Sequence, residues 1–117
     1  MARSENDLGA LGHYAGPATL ILSSLAGGPK HGYGLTADIE GFAGVRLQPG
    51  TLYGALTRLE KQGLIESLEA EGRRLPYRLT DEGGAALHAH LTAQAQTAKF
   101  GLRRLAINWT PPATVTS

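Results

Sequence analysis

Between Pro49 and Lys61 the chain concentrates hydroxyls and cations on one side of a helical repeat. Leu52, Ala55, Leu56 and Leu59 follow the i, i+3, i+4, i+7 spacing of a buried stripe. The face they leave over holds Gly50, Tyr53, Gly54, Thr57, Arg58 and Lys61, with Glu60 the only acid, at its margin. A solvated face ordinarily mixes Glu with Lys. The chemistry that wants small residues, hydroxyls and cations together is contact with a phosphate backbone and the base edges beside it. Cations displace condensed counterions, hydroxyls bond phosphates or bases, and small residues let the helix backbone approach. Pro49-Gly50-Thr51 supplies a helix start, where free N–H groups attract a phosphate. Thr51, Tyr53 and Thr57 offer hydrogen bonds, and Arg58 and Lys61 lie further along, where a groove-bound helix meets backbone. A second basic point, Arg73-Arg74, adjoins Gly72 at a turn.

Each residue alone has a plainer role. Arg73 and Arg74 can be a solubilising pair, Tyr53 a half-buried packing residue, and Arg58 and Lys61 partners of nearby acids. Their occurrence together, in this order, is what favours nucleic acid. Charge distribution agrees. Residues 1–45 hold two basic and four acidic side chains, net −2, whereas residues 46–78 hold six basic and four acidic ones, net +2. A dimer doubles that patch.

Other chemistries find little footing. There is no cysteine, hence no disulfide, thiolate metal site or Cys nucleophile. His88 and His90 are two apart on a helix and diverge, a poor metal pair. Gly32-Tyr33-Gly34 lacks the third glycine and the preceding strand of a dinucleotide site, and His31 reads as a helix-start residue, with no acid placed to make it a base. The expectation is a protein that is not an enzyme, with no metal and no cofactor. No apolar run approaches the roughly 20 residues of a membrane span, and the polar start Met1–Asp7 lacks a signal-peptide core, so the expected compartment is the cytoplasm, with no membrane contact.

The 117 residues suit one domain. Leu8, Leu11 and Tyr14 permit a short leading helix or a loose arm over residues 1–14, and the pattern does not choose. Gly16-Pro17 opens a first helix with Ala18, Ile21, Leu22 and Leu25 inward, ended by Gly27-Gly28-Pro29. A second runs from Lys30 or His31 to about Gly41 with Leu35, Ile39 and Phe42 inward. The third begins at Pro49 and stops at Gly63. Leu64–Glu69 and Arg73–Leu79, joined through Glu71-Gly72, read as a β-hairpin with Leu75, Tyr77 and Leu79 inward, and Pro76 assigns its strand to an edge. Thr80 caps a last helix reaching about Trp109, roughly 40 Å. Its stripe of Leu87, Leu91, Ala95, Ala98, Leu102 and Leu105 is too long for so small a globule to cover, which points to a second subunit. The expected architecture is mainly α with a small β-hairpin. It divides into a winged helix-turn-helix over 1–79, a dimerisation helix over 80–109 and a disordered tail over 110–117.

Four segments carry a resemblance. His31-Gly32-Tyr33-Gly34, Pro49-Gly50-Thr51-Leu52-Tyr53, the run from Leu56 through Arg58-Leu59-Glu60 to Gly63-Leu64-Ile65, and Tyr77-x-Leu79-Thr80-x-x-Gly83 are similar to the signature segments of the PadR family of bacterial transcriptional regulators. The similarity covers roughly residues 17–92. It implies a repressor that binds a palindromic operator as a homodimer through its C-terminal helix. It further implies that Tyr33, Gly50, Thr51, Tyr53, Arg73 and Arg74 approach DNA. Two positions depart from the pattern. Gly54 stands where many members have Pro, and the C-terminal part is a single helix, as in the short members of the family. In some of those, an aromatic residue about fourteen positions past the Leu-Thr of the last helix binds flat ligands. The counterpart here falls near Gln94, and Trp109 lies elsewhere. A small-molecule effector at the dimer interface stays compatible with the family, as does a winged helix serving protein contacts alone or a ligand- or metal-responsive sensor of the same fold.

Overall fold

The computed structural model describes residues 15–113, so the leading segment 1–14 and the last four residues of the tail lie outside the described residues. The element order is α1 (Ala15–Leu25), β1 (Lys30–His31), α2 (Gly32–Ala43), α3 (Pro49–Lys61), β2 (Ile65–Ser67), β3 (Pro76–Leu79) and α4 (Asp81–Asn108). Helices α1, α2 and α3 enclose one core. Ala18, Ile21, Leu22 and Leu25 of α1, Leu35 and Ile39 of α2, and Leu52, Ala55, Leu56 and Leu59 of α3 are all buried. These are the stripes that the apolar spacing predicts, and α1 lies at their centre because nearly all its side chains are apolar or small.

The ends of the elements follow from local chemistry. α3 closes with a Schellman turn. Gly63 takes φ +76, its N–H bonds the Glu60 carbonyl at 3.0 Å, and the Leu64 N–H reaches back to Leu59 at 3.0 Å. α4 opens on Thr80, whose hydroxyl accepts from the Gly83 N–H at 3.0 Å and donates to the Gly63 carbonyl at 2.7 Å. That one side chain therefore caps α4 and fastens it to the end of α3. Asp81 and Glu82 occupy the first turn, the favourable end of the helix dipole.

Four expectations are corrected. The sheet has three strands in the order β1-β3-β2, so the strand carrying Pro76 is central, not an edge. Pro76 is the first residue of β3, where the missing N–H matters least, and its carbonyl still accepts from Leu68 at 2.8 Å. β1 takes the two residues assigned to the start of the second helix, and two residues are too few to show alternation. In the wing, Pro76 and Tyr77 are the buried pair while Leu75, just before the strand, is 42% exposed. Phe42 is 53% exposed because the last turn of α2, up to the left-handed Gly44 at φ 68, runs past the core.

Tyr77 of β3 is buried. Burial, the nearby Glu60 carboxylate and Tyr53 raise its hydroxyl pKa above the usual tyrosine value near 10. The folded state thus holds this proton more tightly than the unfolded chain does. The stabilisation is complete below about pH 10 and is lost as pH climbs through the raised value. Urea unfolding at pH 8 and pH 11 should show lower stability at pH 11, and Tyr77→Phe should lessen the difference. An equal decline in that variant would remove Tyr77 as its source.

Candidate nucleic-acid interface

The three-helix core turns the polar side of α3 outward. Tyr53 is 52% exposed, and Thr57, Arg58 and Lys61 are exposed along the same face, with Gly50 open at its start and Thr51 and Gly54 half-buried. Glu60, the one acid at the margin of this face, is engaged by Ser67. Its carboxylate accepts from the Ser67 hydroxyl at 2.8 Å and the Ser67 N–H at 3.3 Å, which turns it toward β2. Lys61 has no ion-pair partner among the described residues. Thr57 is more specialised than its type suggests. Its hydroxyl donates to the Tyr53 carbonyl at 2.9 Å, so outward it offers oxygen lone pairs that suit an amino group on a base edge.

α2 crosses the start of α3 and brings Tyr33 beside this face, 77% exposed. The contact between the two helices depends on Gly32. A Cβ there would lie 2.5 Å from the Tyr53 hydroxyl oxygen, so the missing side chain lets the Tyr53 ring lean over the first turn of α2. Between the two helices and the 44–48 connection lies an open groove of about 440 Å³, lined among others by Tyr33, Thr36, Arg46, Gln48 and Tyr53. Arg46 is ion-paired to Glu40 at 3.6 Å on its rim. Behind the groove, α2 is anchored by a polar cluster. The buried Ser24 hydroxyl donates to Asp38 at 2.5 Å, and Lys30 donates to the Ser24 carbonyl at 2.5 Å while standing 3.9 Å from Asp38. Lys30 is therefore committed inward.

The wing tip is the turn Glu71-Gly72-Arg73-Arg74, closed by reciprocal backbone bonds of 2.8 and 3.1 Å between Glu71 and Arg74. Gly72 supplies the positive φ, +64, at its first central position, and Arg73 at the second has none, the pattern of a type II′ turn. The two arginines separate. Arg73 is exposed at the tip, whereas Arg74 folds back so that Nη1 lies 3.3 Å from Nε2 of His31, whose ring in turn stacks with Tyr33. Arg78 is held across the strands by Glu66, its register partner. No signal in the sequence joined Arg74 to His31, because 43 residues separate them.

The stripe of α4 divides in two. Leu87 is 5% exposed and belongs to the protomer's own core, so it is corrected from an intersubunit position to an internal one. Beyond it the helix leaves the globule. Leu91, Leu102 and Leu105 are 40%, 67% and 45% exposed, and Ala95 and Ala98 are exposed between them. Trp109, at the helix end, falls on the same side. The opposite side carries Phe100 with the Arg104 guanidinium 4.3 Å from its ring centre. Among the described residues no helix is long and apolar enough to cross a membrane.

Residues 21–89 match the family model described as the transcriptional regulator PadR-like family, more than half of the chain. The chain belongs to this family. Its helices, three-stranded sheet and wing form the winged helix of PadR-family structures. A PadR family transcription regulator from Clostridium difficile superposes with a TM-score of 0.68 at 28% identity, over 75% of this chain and 96% of that one. The transcriptional regulator Rv3488 of Mycobacterium tuberculosis is 44% identical over 70 residues, 57% of this chain and 64% of that protein. An uncharacterised 37.1 kDa protein in transposon TN4556 of Streptomyces fradiae is 47% identical over 77 residues, 66% of this chain. The matched part spans only 22% of that transposon protein and just under two thirds of the mycobacterial regulator.

Proposed function

We propose that this PadR-family regulator acts in the cytoplasm as a repressor, binding a palindromic operator in double-stranded DNA as a homodimer. α3 enters the major groove, the α2 start and the wing lie against the flanking backbone, and the exposed part of α4 joins two copies. The observation that carries the reading is the outward face of α3. It gathers Tyr53, Thr57, Arg58 and Lys61, while its one acid is held back by Ser67. Thr51 and Gly50 at the helix start suit a phosphate, and Thr57 suits a base. Arg73 at the wing tip suits backbone or minor groove. Tyr33 extends the contact beyond α3. A ligand lodging between the two α4 helices would act by changing the separation of the two α3 helices.

Selection of bound fragments from a random duplex pool should return an inverted repeat whose half-sites lie about one helical turn, ~34 Å, apart. Affinity should fall steeply with salt on a log–log plot, and Arg73→Ala should flatten the slope by about 1.8, one phosphate's worth for each of the two protomers. Binding that ignores salt, or a pool that yields no enriched sequence, would return the fold to a protein-contact role.

A further inference from the structure

His31 sits where three requirements meet. It is the N-cap of α2, and its Nδ1 accepts the Gly34 N–H at 3.3 Å. Its Nε2 faces Arg74 Nη1, also at 3.3 Å. A guanidinium only donates. A neutral imidazole has one accepting and one donating nitrogen, so His31 cannot accept from Gly34 and from Arg74 together. The cap prevails, because the Gly34 N–H is part-buried in the first helical turn with no other acceptor, while the exposed Arg74 can turn to water. The proton is therefore on Nε2. Two donors, Nε2–H of His31 and Nη1 of Arg74, then stand side by side with no acceptor between them. Nearby acids do not fill the gap. Asp38 is taken by Ser24 and Lys30, and no acidic side chain is ion-paired to Arg74 among the described residues.

From this we infer that His31 and Arg74 form a donor pair for one backbone phosphate of the bound duplex, with His31 acting as a neutral donor whose tautomer is set by capping Gly34. The anion supplies the acceptor that both groups lack, and it locks the wing to the start of α2 when DNA is bound. This assignment rests on the DNA-binding reading above and names a recognition element within it.

The test uses the full-length protein and the selected operator. His31→Asn keeps an accepting oxygen for the Gly34 N–H, since Asn is among the better N-caps, but its amide cannot extend to the Nε2 position. Thermal stability should be nearly unchanged and affinity should fall about tenfold or more, the loss of a hydrogen bond to a charged group. The salt slope should stay as in the wild type, because a neutral donor releases no counterion, whereas Arg74→Ala should lower it by about 1.8, one phosphate per half-site. Operator duplexes with single methylphosphonate linkages should weaken the wild type at one position per half-site where neither variant loses anything further. His31→Ser, which keeps a capping oxygen with no long-range donor, carries the same expectation should the Asn variant fold poorly. Independently of DNA, nitrogen-15 shifts of the His31 ring in the free protein should show Nδ1 unprotonated and Nε2 protonated. Wild-type affinity in His31→Asn, sensitivity of the two variants at different phosphates, or the opposite tautomer would overturn the pairing alone. A wild-type protein that binds no duplex would overturn the DNA reading and the pairing with it.

Discussion

Replacing Leu102 and Leu105 together by glutamate is expected to give a folded monomer whose operator affinity is lower by about 100-fold or more. Both side chains are largely exposed in the single chain, at 67% and 45%, and neither touches the core, which α4 leaves after Leu87. The 21 residues from His88 to Asn108 extend about 32 Å at 1.5 Å per residue. Helices in proteins draw most of their stability from packing of an apolar face, and on the homodimer reading a second copy covers this stripe. Each leucine covered by a second copy contributes about 1.5–3 kcal/mol. Two carboxylates placed there would face each other across a symmetric interface. The monomer then binds one half-site and forgoes the effective concentration that links two, commonly worth 10²–10⁴ in affinity. Light scattering reads the mass and a fluorescence titration the affinity. A variant that remains dimeric would remove this stripe from the interface. Truncation from residue 84 would not serve as the test, since it also strips Leu87 from the core.

Gly83→Ala is expected to lower stability by about 3 kcal/mol, although alanine is the better helix former by about 1 kcal/mol. Gly83 is buried in the first turn of α4, and an added Cβ would collide with the Leu64 carbonyl oxygen and lie 2.9 Å from Leu79 Cδ1. The obstructing atom is backbone, and it cannot withdraw. The same carbonyl accepts the Thr80 N–H at 3.1 Å, and Thr80 also holds Gly63. Relief would require α4 to lift from the α3–β2 turn, giving up the cap and the packing of Leu87. Gly84→Ala is the matched control. Its Cβ would meet only Leu79 Cδ2 at 3.8 Å, an ordinary contact, so propensity should make it neutral or mildly stabilising. Urea unfolding of both variants decides the matter. Equal stability of the two would mean that α4 does not seat on Leu64 in this way.

Much of the fold was legible because its information is local. The apolar steps of α1 and α3, the Gly-Pro stops, the Gly63 turn and the Thr80 cap all act within one or two turns of helix, and each stands where spacing and residue type put it. The outward face of α3 was legible for the same reason, since four buried positions in a short helix dictate which side remains. What escaped depends on where one element ends relative to another. Phe42 continues the stripe of α2 by spacing yet projects past the core. Leu87 begins the stripe of α4 by spacing yet belongs inside.

By itself, then, the order of residues determined which segments coil, which sides of them are apolar, and that hydroxyls and cations share the surface around Thr51–Lys61. Tertiary structure alone decided that Pro76 starts a central strand, that Tyr53 leans over Gly32, and that Arg74 meets His31 across the wing. Periodicity encodes contacts a few residues apart, whereas these three arise from chain closure over tens of residues, where the outcome is set by which backbones can approach and which donors find acceptors.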